Sequence, residues 1–244
     1  MFSKDYYSNS FINVSMIVAN SVLPDSRVIK TAMILDKRGY KVTLFGMGIH
    51  RSYDYEVIRK YPFKIVRIPS IKFLTNNKYG KGAWERNRNS KKTDWVAFTE
   101  LMASSVCKYI EDNTSIDIIH THDMFGLPIG HLVKNYFNNY NVSWVHDIHE
   151  YVNGLTHFPK HNLRFVSDSE KKLISKPDIL TCVSTDLTNI LKKEHSNLDI
   201  EHVFNTPFAS DYDEYFHKNI RDDLGLSDKA PLGIYIGKVK PERE

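Results

Sequence analysis

Short runs of β-branched and apolar residues recur along this chain, and helical stretches lie between most of them. The runs are Asn13–Ala19, Lys41–Phe45, Phe63–Ile68, Ile116–Ile119, Val142–Val145, Ile179–Val183 and Ile200–Phe204. Val28, Ala32 and Leu35 repeat at helical spacing between the first two, which predicts a helix from Asp25 to Lys37, capped by Asp25 and stopped near Gly39. Further helices are predicted over 93–111, 126–137, 167–175 and 185–195. Strand–helix alternation of this kind argues for a parallel sheet covered on both faces. Right-handed crossovers then give an α/β fold: a doubly wound, mostly parallel, Rossmann-like sheet with helices on both faces.

Composition narrows the function classes. At 244 residues, with 41% hydrophobic and 25% charged residues, the chain is neither a disordered tail nor a rod. Two cysteines, Cys107 and Cys182, make neither a disulfide framework nor a four-thiolate zinc site. No apolar run reaches the ~18 residues of a bilayer span, and the start lacks a signal-peptide core, so a cytoplasmic setting is expected. The net charge of +4 is uneven: between Ile71 and Lys92, seven cations face the single acid Glu85, with Phe73, Tyr79 and Trp84 among them. Such a segment suits an anionic membrane surface, with peripheral attachment to the inner face, or serves as a solvated loop. No helix-turn-helix, zinc or RNA-binding signature accompanies the charge, so nucleic acid is not an expected partner.

In an open parallel sheet, ligands bind beyond the carboxyl ends of the strands. The residues at those ends are Asn20 to Asp25, Gly46 to Gly48, His120-Thr-His-Asp123, His146-Asp-Ile-His-Glu150, Ser184 and Asn205. Histidines and carboxylates therefore gather on one rim, where they can transfer protons or bind hydroxyls. Helix capping alone also accounts for Asp123 and Ser184, and burial with backbone hydrogen bonds for His120 and His146. His149 follows its strand on the side opposite Trp144 and Ile148, which favours a site role. His120-x-His122 is half of a metal-binding pattern, but Asp123 follows His122 directly and is itself followed by Met124 rather than a histidine. Gly46-Met-Gly48 lacks the third glycine and the helix of a dinucleotide fingerprint, and neither a P-loop nor a nucleophile elbow is present.

Taken in order, Asp25-Ser-Arg-Val-Ile-Lys, Arg38-Gly-Tyr-Lys-Val-Thr43, Asp117-Ile-Ile-His-Thr-His-Asp123, Val145-His-Asp-Ile-His-Glu150, Pro177-Asp-Ile-Leu-Thr-Cys-Val-Ser184, Val203-Phe-Asn-Thr-Pro207 and Gly233-Ile-Tyr-Ile-Gly-Lys238 resemble the amino-terminal, acceptor-side half of family 4 glycosyltransferases of the GT-B fold. Tyr40 and His146 depart from the family's usual histidine and aromatic residue. The resemblance implies transfer of a hexosyl group from a nucleotide-diphosphate sugar to a glycan or lipid-linked acceptor, in surface polysaccharide or glycolipid synthesis, without a cofactor or metal. It implies that His149 lies near the transferred sugar, with Asp147 and Glu150 orienting it or the acceptor. Asp25, Arg27, His122, Asp123, Ser184 and Asn205 are expected to line the substrate groove. Lys238 and Arg243 are expected to face the donor phosphates.

The expected organisation is an acceptor-side domain over 1–207, a linker with a short helix over 208–231, and the opening strand of a donor-binding domain over 232–244. Without a donor half, which a separate polypeptide could supply, the 244 residues are expected to be inactive. Two other readings are a non-catalytic binding or assembly module, and a metal-dependent hydrolase using His120 and His122.

Overall fold

A computed structural model describes residues 11–48, 54–68, 95–155, 160–195, 197–207 and 220–234. It divides into two compact units, 1–204 and 205–244. The first contains strands β1 (Asn13–Val18), β2 (Lys41–Met47), β3 (Glu56–Ile58), β4 (Lys64–Ile68), β5 (Ile118–His122), β6 (Ser143–Ile148), β7 (Ile179–Cys182) and β8 (Ile200–His202). Helices α1 (Ser26–Lys37), α2 (Trp95–Asn113), α3 (Asp123–Tyr136), α4 (Lys160–Leu173) and α5 (Thr185–Glu194) join them. The described strands form one sheet in the order β3-β4-β2-β1-β5-β6-β7-β8. Every pairing is parallel except β3 with β4. This is the expected doubly wound α/β architecture. Strand order reverses at β1, and β1 to β8 run outward from that point, so the loops after β1, β5, β6 and β7 gather on one rim.

Two cores cover the two faces of the sheet. One contains Ile17, Phe45, Ile119, Trp144 and Ile148 under α2 and α3, and the other contains Met16, Val18, Val28, Ala32 and Leu44 under α1. Period-two alternation divides neighbouring residues between them: Thr121 and His146 face α3, whereas His122 and Asp147 face the opposite side. Register then aligns residues across strands. His122 stands beside Asp147, and Asp147 beside Thr181, in one row on the same face.

Elements differ from expectation in four places. Glu56–Ile58 forms a short antiparallel edge strand that its single apolar alternation does not announce. Helix α3 begins at Asp123, three residues before the expected start, and carries Gly126, Pro128 and Gly130 inside it. The glycines are steric necessities, because a Cβ on Gly130 would lie 2.6 Å from the Trp144 ring and one on Gly126 3.2 Å from Thr121. Their absence of side chains lets α3 lie close against β5 and β6, which outweighs their poor helix propensity. Helix α4 begins at Lys160, seven residues before the expected start. In the second unit, helix α6 (Ile220–Asp223) is the described part of the helix expected over 213–224, and residues 231–234 are not in a strand. The basic segment Ile71–Lys92, Lys238 and Arg243 lie outside the described residues.

Candidate active site

Asp147 is the centre of the site. It is the fifth residue of β6, and only 2% of it is exposed. Arg27, in the first turn of α1, grips it through two parallel hydrogen bonds: Nε donates to Oδ2 at 2.7 Å and Nη2 to Oδ1 at 2.6 Å. The third arm, Nη1, donates to the Val203 carbonyl at 2.7 Å, just beyond β8. The Thr181 hydroxyl donates to Asp147 Oδ1 at 2.6 Å. His122 Nδ1 lies 3.2 Å and His149 Nε2 3.0 Å from Oδ2. The guanidinium fork matches the carboxylate in shape as well as charge, so desolvation of the two ions is offset by a full set of charge-assisted bonds. Burial by itself raises the carboxyl's pKa. The hydrogen bonds from His122, His149 and Arg27 outweigh burial and hold Asp147 well below the usual carboxylate range.

The histidines divide by environment. His149 is desolvated, but its bond to Asp147 and the charges of Asp147, Asp123 and Asp25 more than compensate and raise its pKa above the ordinary value. Its Nε2 faces Asp147, which leaves Nδ1 for a ligand. His122 is fully buried, and burial lowers its pKa despite the Asp147 bond. His120 packs 4.3 Å from the His122 ring, and burial, reinforced by His122, holds it well below the ordinary histidine value. Among the described residues, Nε2 of both His120 and His122 is buried without a hydrogen-bond partner. On the other face, Thr121 Oγ1 accepts from Trp144 Nε1 at 2.8 Å and lies 2.9 Å from His146 Nδ1. Burial pushes His146 down to about 3, so it is neutral at physiological pH.

A small pocket, partly open to solvent, lies at the carboxyl end of β6. Asp123, His146, His149, Glu150 and Glu170 supply its polar wall; Met124, Leu127, Ile148, Val152 and Val166 supply the apolar one. Asp123 enters α3 with φ 66°, a left-handed conformation that an aspartate tolerates better than most residues, and its Oδ1 accepts from the Met124 N–H at 2.6 Å. It turns at the rim rather than capping the helix from outside. The β1–α1 loop carries a second left-handed residue, the fully buried Val22 at φ 70°. Asn20 Oδ1 accepts from the Val22 N–H at 2.7 Å, and Arg67 holds the Ser21 carbonyl through two bonds of 3.2 Å. Gly46 lies directly beneath, since a Cβ there would lie 2.2 Å from Val22 Cγ2. Gly46 thus accommodates the close approach of this loop.

The structure brings Arg27, His122, Asp147 and His149 into one hydrogen-bonded group, and places Asp123, His149 and Glu150 around one pocket. Arg27 and His122 are buried behind Asp147 rather than lining the pocket. Asp25 accepts from the Val28 N–H at 3.2 Å and from Asn20 Nδ2 at 2.9 Å, which makes it a helix cap. Ser184 caps α5 through the Leu187 N–H at 3.2 Å. Asn205 belongs to the second unit. Sequence reasoning missed Thr181 and Glu170. Thr181 lies inside a strand and could be found only through its register with Asp147, and Glu170 looks like one more surface acid of a charged helix.

No protein-family model matches the chain, and no curated protein matches it. Solved structures do. Sucrose-phosphate synthase from Thermosynechococcus elongatus superposes with a TM-score of 0.58 at 14% identity, over 90% of this chain and 54% of its own. The catalytic domain of starch synthase IV from Arabidopsis thaliana, bound to ADP and acarbose, does so with a TM-score of 0.52 at 12% identity, over 91% of this chain and 60% of its own. This chain therefore spans a little over half the length of these neighbours. What they share with it is the fold, the mostly parallel Rossmann-like sheet of GT-B glycosyltransferases.

Proposed function

We propose that this chain forms the acceptor-side half of a GT-B glycosyltransferase, which transfers a sugar from a nucleotide-diphosphate donor to a glycan or lipid-linked acceptor. The observation that carries the reading is His149. It is held through Nε2 by a buried, charged Asp147, and it opens through Nδ1 at a pocket whose other polar groups, Asp123, Glu150 and Glu170, suit a polyhydroxylated ligand.

Chemically, the arrangement is an oriented imidazole with a fixed counter-charge. Asp147 sets the ring's tautomer and favours its protonated form. When neutral, His149 accepts a hydroxyl proton at Nδ1; when protonated, it donates from Nδ1 to a sugar oxygen and stabilises negative charge that develops there. Arg27 and Thr181 keep Asp147 ionised and immobile, so they position the site without touching substrate. The family resemblance suggests a donor-binding half that completes the cleft, with the glycan made for a cell-surface polymer or glycolipid. The positive charge of the Ile71–Lys92 segment suggests it as the contact with an anionic membrane. No described helix is long and apolar enough to cross a membrane.

This reading is favoured over a hydrolase built on His120 and His122. Both Asp147 oxygens already accept bonds from Arg27, and a cation beside that guanidinium would be repelled. The test is sugar transfer by the chain combined with a donor-binding half, on one polypeptide or two, with product read by mass spectrometry. His149→Ala is expected to lower turnover about 10²–10³-fold, the effect of removing one group that stabilises developing charge, with folding unchanged. Turnover that is indifferent to this substitution overturns the reading, and so does full turnover by the 244 residues alone.

A further inference from the structure

A second group of ligating side chains lies outside the Asp147 cluster, where α4 meets the end of α5. Glu170, on α4, is 6% exposed, yet no donor within hydrogen-bond distance reaches its carboxylate among the described residues. The nearest polar atom paired with it is His195 Nε2, 4.0 Å from Oε1, and the two side chains are only 8% and 14% exposed. Glu194 completes the group, since one ligand atom from each of Glu170, Glu194 and His195 lies within 4.8 Å of the others. A carboxylate on a mostly buried side chain, without protein donors and facing a second carboxylate, is unfavourable as it stands.

The surroundings fix two of the three groups. Tyr151 O–H donates to Glu194 Oε1 at 2.5 Å and Asn153 Nδ2 to Oε2 at 3.3 Å, while Ser167 Oγ donates to Asn153 Oδ1 at 2.9 Å. These bonds orient the Glu194 carboxylate and leave lone pairs on both oxygens. The His195 N–H donates to the Leu191 carbonyl at 2.8 Å, which anchors the residue at the end of α5. Outer hydrogen bonds of this kind accompany metal ligands and hold them in place.

We propose that Glu170, Glu194 and His195 bind one divalent cation of the zinc class, which ties α4 to α5 behind the pocket wall that Glu170 forms. One imidazole and two carboxylates make a donor set suited to Zn²⁺, with water in the remaining position. Tetrahedral ligands about 2.1 Å from one ion stand roughly 3.4 Å apart, so Glu170 and His195, 4.0 Å apart, close by about half an ångström to share it. The ion supplies the charge that Glu170 lacks and removes its repulsion with Glu194. This role is structural and independent of sugar transfer.

The experiment uses the full chain stripped with a chelator and titrated with Zn²⁺ at pH 7.5, with metal content read after gel filtration and affinity by competition with a chromophoric chelator. One equivalent of zinc and a raised melting temperature are expected. Glu170→Gln and His195→Gln, each near in shape to the native residue, are expected to weaken binding at least tenfold, whereas His149→Gln leaves it unchanged. Absence of zinc binding overturns the proposal. So does binding that survives both substitutions, or binding lost in His149→Gln, which would assign the ion to His122, Asp147 and His149.

Discussion

At the scale of single residues, Asp147 and Arg27 are mutually dependent. Replacing Asp147 with Asn leaves the Arg27 guanidinium buried without a counter-charge, and the expected loss is about 3–5 kcal/mol in a urea titration. The same substitution withdraws the charge that raises His149, so an NMR titration of the His149 ring should move to lower pH. Arg27→Lys is expected to recover only part of the stability, since a single ammonium cannot reproduce two bonds to Asp147 and one to Val203. Thr181→Val removes one donor from a carboxylate that keeps its others, with an expected cost of about 1–2 kcal/mol. These positions act through Asp147, so their effect on transfer should appear in turnover and its pH profile more than in acceptor affinity.

At the scale of elements, close approach governs. Helix α3 lies near enough to β6 that Gly130 faces the Trp144 ring, and Trp144 in turn holds Thr121. Gly130→Ala raises helix propensity yet places a methyl 2.6 Å from a buried, rigid ring. The expected result is a net loss of about 1–3 kcal/mol by thermal or chemical denaturation. Exposed helical glycines gain from the same change, so a stabilised variant would show that α3 can move outward. Helix α3 also shows why element boundaries were hard to place. The expected start at Gly126 falls three residues late, because Asp123, which opens the helix, has φ 66° and His122 before it makes no side-chain cap.

At the scale of the whole molecule, buried titratable groups set the pH response. His120 and His146 have folded pKa values below the ordinary 6.5, so the stability they contribute is present above pH 6.5 and lost as pH falls. Glu170 runs the other way. Burial and then Glu194 raise it to about 7, so its contribution is complete below pH 4.5 and lost as pH rises towards 7. His122 and His131 are also lowered by burial and act in the same sense, whereas the raised pKa of His149 acts only above pH 6.5. Between about pH 4.5 and 6.5, the lowered histidines therefore outweigh one carboxyl. Stability in chelator-containing buffer should fall on acidification by at least about 1.4 kcal/mol per pH unit, one net proton or more. Glu170→Gln should steepen that slope by about one proton, and His146→Gln should reduce it by about one. Urea denaturation across this range measures both, and parallel slopes in all three proteins would refute the assignment.

Much of this molecule was legible one residue at a time. Apolar runs of strand length between helical stripes specify a doubly wound sheet, because burial on both faces is a local compositional demand. The carboxyl-end rule then names the rim that holds Asp123, Asp147, His149 and Glu150. Partners were a different matter. Arg27 is 120 residues from Asp147 and Thr181 is 34, and neither separation has a local signature. Strand register decided that His122, Asp147 and Thr181 share a row, and the packing of α1 decided that Arg27 points at it. Burial of a charge is a property of everything that surrounds it, which is why the amino-acid order alone could name the groups at this site but not their pairings, their protonation or the isolation of Glu170.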